Sequence, residues 1–147
     1  MKPLFILLTV IASFFVKPSS ANDEVVIPAV LKSFQNSFAH AKEVNWSLSQ
    51  TLYKAQFVLD GLYINAFYSS DGSLVAMTRN ISSSQLPIAL QTSMKKEYSA
   101  FWISDLFEIA NEEGTSYYIT LENATTKLIM KSNNNSAWTK FQKSQKI

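Results

Sequence analysis

The chain contains no cysteine in 147 residues. That excludes disulfides, a thiol nucleophile, thiolate metal sites and the lipid-bearing cysteine of a lipoprotein. Histidine is nearly absent too: His40 is the only one. A His-rich metal site is thereby excluded, and a Ser-His-Asp triad would have to use that one residue. His40 falls at the end of an expected helix, where capping the last carbonyls is the plain role. Three glycines leave no Gly-rich phosphate loop, and no paired-carboxylate motif is present. Glu112-Glu113 belongs to an expected turn and Asp105…Glu108 to a strand edge, both solvated positions. No nucleophile, base and orienter can be named together, so the reading has no catalytic, cofactor-binding or metal residue and no enzyme.

What is present begins with an export signal over residues 1–21. Lys2 supplies the positive start, Leu4 through Val16 is apolar, and Ser19-Ser20-Ala21 is the small-x-small pattern of a cleavage site. The run is shorter than the roughly 20 residues a membrane span needs. Residues 22–147 are the expected mature chain: periplasmic or secreted, with no stable membrane span. Two of the 13 basic residues, Lys2 and Lys17, leave with the signal, so eleven remain to balance the 11 acids. A neutral exported chain is a poor nucleic-acid partner. After Glu122 the only charges are lysines, Lys127, Lys131, Lys140, Lys143 and Lys146, expected to form a solvated end. The mature length is enough for a hydrophobic core without covalent staples. Asn-x-Ser/Thr occurs at Asn45, Asn80, Asn123 and Asn134, as chance provides in an Asn/Ser-rich chain.

The mature chain says much the same thing twice. Ile27, Val30, Leu31, Phe34 and Phe38 are spaced to share one helical face, with Pro28 tolerated in the first turn. Beyond Ala41 the period becomes two, with Val44, Trp46 and Leu48 forming one face of a strand. Asp60-Gly61 then predicts a two-residue hairpin turn. In that register Leu59 faces Leu62, Phe57 faces Ile64, Ala55 faces Ala66 and Tyr53 faces Tyr68, an apolar face for the helix. Lys54, Gln56 and Val58 oppose Phe67, Asn65 and Tyr63 on the other face. A turn at Ser70-Asp71-Gly72 leads to a fourth strand, about Leu74 to Ile81, whose inward face is ambiguous.

The second unit follows a serine-rich link, Ser82-Ser83-Ser84. Ser84 is expected to cap a helix from about Gln85 to Tyr98, with Leu86, Ala89, Leu90, Met94 and Tyr98 inward. Strands are expected at Ile103 to Ala110, around Tyr117 to Leu121, at Leu128 to Met130 and at Ala137 to Phe141. Turns fall at Asn111–Gly114 and Asn133–Asn135. The fold class is α+β: two tandem helix-plus-antiparallel-meander repeats, about 25–81 and 84–142, forming an antiparallel sheet with the helices packed on one face.

Ile27-Pro28, Val30, Phe34, Phe38, Ala41 through Trp46, Tyr53, Phe57, Asp60-Gly61 and Phe67 through Gly72 resemble the PepSY-like repeat. The proteins that carry it are small and exported by bacteria, and are also described as beta-lactamase-inhibitor-like (BLIP-like). Leu86-Pro87, Leu90, Met94, Tyr98, Gly114, Tyr117-Tyr118 and Leu121 resemble it again, with Leu106 where the first unit has Trp46. The resemblance spans the mature chain, and implies a two-unit antiparallel sheet and no defined activity.

The sheet face away from the helices is the candidate interaction surface. Tyr63, Phe67 and Val58, joined by Tyr118, are expected to leave aromatic area exposed there. The first reading is a non-catalytic envelope module binding an envelope protein, as an inhibitor or modulator of an envelope enzyme. The alternative is a small-ligand or lipid carrier in the periplasm, which would need a large apolar cavity under the helices.

Overall fold

Pro28 fixes the start of the first helix, since its ring presets the helical φ and its missing N–H would have no partner there. The computed structural model describes residues 25–133 and 135–147 and places helix α1 at Pro28–Ser37, buried through Val30 and Phe34. The expected export signal lies outside the described residues, as does Asn134. The chain divides into two compact units, one ending at Met77 and one beginning at Thr78.

In the first unit α1 is followed by β1 (Lys42–Ser49), β2 (Leu52–Leu59), β3 (Leu62–Tyr68) and β4 (Leu74–Asn80), which carries the boundary. The β2–β3 ladder has the register read from Asp60-Gly61, from Leu59↔Leu62 to Tyr53↔Tyr68. Both turn residues have positive φ, 51° and 79°, as such a hairpin requires. Val30, Phe34, Ala55, Phe57, Ala66 and Tyr68 form the core beneath α1. Phe34 meets Trp46 and Phe57 edge-on, at 5.2 and 5.1 Å between ring centroids. Leu48, expected to share the buried parity of Trp46, is 49% exposed near the end of β1. On β4, Ala76 and Thr78 are buried, while Met77 packs against the core beneath α1.

In the second unit a 3-10 turn, Ser83–Gln85, precedes helix α2 (Ile88–Glu97). The continuous helix expected from Gln85 is interrupted because Pro87 drives Leu86 into extended backbone, φ −68° and ψ 152°. Ser82 forms a capping box with Gln85 on the 3-10 turn, while α2 starts after Pro87 with no side-chain cap, so the cap expected from Ser84 is not made. Ala89, expected inward, is exposed; Leu90 is fully buried. Strands β5 (Trp102–Asn111), β6 (Gly114–Glu122), β7 (Thr126–Ser132) and β8 (Thr139–Gln145) follow, β8 starting two residues later than expected. All pairings among these four are antiparallel, each strand pairing with the next in the chain. The fold class is α+β.

The core beneath α2 is mostly aliphatic: Leu86, Leu90, Leu106, Ile119, Leu121 and Met130, with Tyr117 beside them. Trp138 donates its Nε1–H to the Leu90 carbonyl at 3.2 Å, tying the chain before β8 to α2. Arg79 pairs with Glu108, and Asn80 Nδ2 donates to Asp105 Oδ1 at 2.8 Å. Asp105 and Glu108 are thus engaged, not merely solvated as expected. His40 is exposed in the turn after α1, which ends with the Phe38 N–H donating to the Phe34 carbonyl at 2.8 Å. The expected histidine cap is absent among the described residues.

Candidate functional site

Strand alternation decides which of the four proposed surface residues share a face, and their neighbours decide which stay exposed. Val58 and Tyr63 are directly opposed on β2 and β3. Tyr63 is 74% exposed and Val58 is half-buried. Leu62, next to the turn, is also exposed, on the opposite face of β3.

Phe67 and Tyr118 correct the expectation of exposure: each is only 1% exposed. Tyr118 is covered by its own sheet. Phe107 stacks on its ring at 5.4 Å, Phe141 meets it edge-on at 5.6 Å, and Lys131 Nζ lies 5.4 Å from the ring centroid. Large side chains on adjacent strands reach one another across a ladder and shield the face they share. The Tyr118 hydroxyl has no hydrogen-bond partner among the described residues, and burial pushes its pKa up. Phe67 lies opposite Lys54, a half-buried lysine whose pKa is lowered by burial. A lysine stem covers apolar surface while its head seeks water. Residues Tyr117 through Leu121 are buried on both faces of β6. Reading one face of each strand as open therefore failed at Phe67 in the first unit and at Tyr118 in the second.

The lysine-rich end is likewise not simply solvated. Lys146 Nζ lies 3.1 Å from Glu122 Oε1 and 4.6 Å from the Trp102 ring centroid. Among the described residues, no three His, Asp or Glu side chains gather into a group that could hold a metal ion. None of the described helices is long and apolar enough to cross a membrane.

A second candidate lies within the second unit, and sequence reasoning missed it. A cleft of about 410 Å³ opens beside α2, its apolar lining drawn from Leu86, Met94, Tyr98, Phe101 and Ile103. Gln91, Met94, Lys95 and Tyr98 contribute from one stripe of the helix. Gln91 Nε2 donates to the Ser84 carbonyl at 3.2 Å and the Leu86 carbonyl at 2.8 Å, fixing the 3-10 turn against α2. The Tyr98 ring lies edge-on to Phe101 at 6.3 Å. Burial raises the Tyr98 pKa, and the charge of Glu97 adds to the shift. The sequence signal was Leu86-Pro87, which splits the expected helix and leaves a separate turn as one wall.

No protein-family model matches the sequence, and no curated protein matches it significantly. Solved structures do match. A BLIP-like protein from Bacteroides fragilis has 17% identity and a TM-score of 0.67 over 91% of each chain. A DUF2874 family protein from Bacteroides uniformis has 14% identity and a TM-score of 0.73, over 82% of this chain and 90% of its own. A Bacteroides eggerthii protein described as periplasmic has 14% identity and a TM-score of 0.72, over 82% and 89%. The chain has the BLIP-like fold.

Proposed function

We propose that this chain is an exported, non-catalytic interaction module of the bacterial cell envelope that inhibits or modulates an envelope enzyme. Tyr63 carries the reading: it is 74% exposed on an ordered strand beside Val58. Exposed tyrosines supply contact area at low entropy cost and are enriched where binding energy concentrates. The fold shared with a BLIP-like protein and with one described as periplasmic supports it. The same reading takes residues 1–21 as a cleaved signal and about 25–81 and 84–142 as tandem repeats. The interaction surface keeps Val58 and Tyr63, and Phe67 and Tyr118, both buried, drop out of it.

The test is capture from a bacterial envelope fraction, comparing the chain with a Tyr63→Ala variant whose fold is checked by circular dichroism. Exposed Tyr63 makes the substitution cost within about 0.5 kcal/mol of stability. Capture of an envelope protein by the parent and its loss in the folded variant is the expected result. Equal capture by both would remove Tyr63 from the surface. Phe67 is unsuited to the test, because truncating it would open the buried interior.

A second reading, a carrier of small or lipid ligands, is favoured by the cleft beside α2. Its volume falls within the range of about 300–1,000 Å³ typical of ligand sites.

A further inference from the structure

We propose that the cleft beside α2 binds a free medium-chain fatty acid, with its chain on Leu86, Met94, Phe101 and Ile103 and its carboxylate at Lys95. The proposal rests on the carrier reading and names the ligand class. Lys95 is the only charged residue lining the cleft. It has no ionic partner among the described residues. Tyr98 shares its helix stripe, and the Tyr98 hydroxyl makes no hydrogen bond among the described residues. The Gln91 amide is already committed to two carbonyls. The Lys95 ammonium and the Tyr98 hydroxyl, with Ser83, Ser84 and Ser99 in the same lining, make a donor set that suits a carboxylate. A single positive charge with no acid in the lining disfavours a cationic amphiphile. About 410 Å³ lies at the small end of ligand sites, which suits one hydrocarbon chain rather than a two-chain lipid.

Isothermal titration of the protein isolated from the exported fraction tests this, using octanoate, decanoate and dodecanoate below micelle formation. Decanol and decyltrimethylammonium provide the neutral and cationic arms. Saturable decanoate binding is expected, strengthening about fourfold per added methylene. Decanoate should bind about tenfold tighter than decanol. Lys95→Gln should erase that advantage and leave decanol binding unchanged. Ile103→Trp, at a position 41% exposed, should narrow the cleft and weaken both without loss of fold by circular dichroism. Decanoate binding unmoved by Lys95→Gln, or equal binding of decanoate, decanol and the ammonium, would overturn the proposal while leaving a carrier. No saturable binding in any arm would overturn the proposal and the carrier reading together.

Discussion

Beneath α1 the core is aromatic; beneath α2 it is aliphatic. Matching the helices by their first residues and the hairpins by their ladders pairs Phe34 with Met94, Trp46 with Leu106, Phe57 with Leu121 and Tyr68 with Ser132. The sheet centre changes the other way, with Ala55 and Ala66 in the places of Ile119 and Met130. Val30 and Leu90, both fully buried, hold the same helical position. Bulk carried at Phe34, Trp46, Phe57 and Tyr68 in one unit is partly carried at Ile119 and Met130 in the other. Total volume can be kept under such exchanges, but fit is shape-dependent. The rings of the first unit interlock, with Phe34 touching Phe38, Trp46, Phe57 and Tyr68. In the second, a flexible Met94 lines the cleft instead. One order of elements thus serves two interiors, and the second has room for a guest.

The comparison breaks most visibly at its paired helix residues. Phe34→Ala should cost about 3–5 kcal/mol, because a ring 5% exposed leaves a cavity its ring neighbours cannot collapse into. Met94→Ala, removing a half-buried side chain beside existing space, should cost about 1–2 kcal/mol. Urea denaturation of each variant measures both. Equal losses would mean that the cleft is as tightly packed as the aromatic core.

Two turn glycines sharpen the same contrast at a smaller scale. Gly72 has φ 89°, and a Cβ there would stand 2.8 Å from the Ala29 carbonyl oxygen in α1. Gly114 has φ 121° and open space around it. Gly72→Ala should therefore cost about 2–3 kcal/mol, backbone strain plus displacement of the helix, and Gly114→Ala about 1–2 kcal/mol from strain alone. Thermal unfolding would rank them. A Gly114→Ala variant no more stable than Gly72→Ala would show that strain alone sets the cost and that the approach of α1 adds nothing.

Legibility followed the same division. Asp60-Gly61 fixes a two-residue turn, and a turn fixes every pair in its ladder, so the β2–β3 register was readable to the last pair. The face of α1 was readable because its apolar spacing is uninterrupted from Ile27 to Phe38. At Leu86-Pro87 a periodic apolar pattern runs through a residue that cannot continue it, and the pattern was read too far. Exposure of Phe67 and Tyr118 was beyond alternation, which says which face a side chain occupies and not what its neighbours cover. Phe141 reaches Tyr118 beside the β7–β8 irregularity at Ile129/Met130, a placement no local pattern announces. The cleft was equally hidden, being space between elements rather than a property of either.

The smallest expected effects concern two aspartates of opposite tendency, one per unit. In the first unit Asp71 accepts hydrogen bonds from the Ser69 hydroxyl and the Ser73 N–H. These hold its carboxyl below the usual range. Its contribution is present above the unfolded pKa and is lost as pH falls through the lower folded one. In the second unit, burial pushes the Asp105 carboxyl up, against the opposing pull of the Leu106 N–H, Asn80 and Lys127. The folded state then favours the protonated acid, and stability is lost as pH rises through its raised folded pKa. Asp71→Asn should destabilise at neutral pH and converge on the parent in acid. Asp105→Asn keeps an acceptor for Asn80 and should stabilise slightly at neutral pH, again converging in acid. Urea midpoints from acidic to neutral pH would give differences of opposite sign. Differences of one sign would mean that the Asn80 contact outweighs burial at Asp105, making its carboxylate an asset to the second unit as Asp71 is to the first.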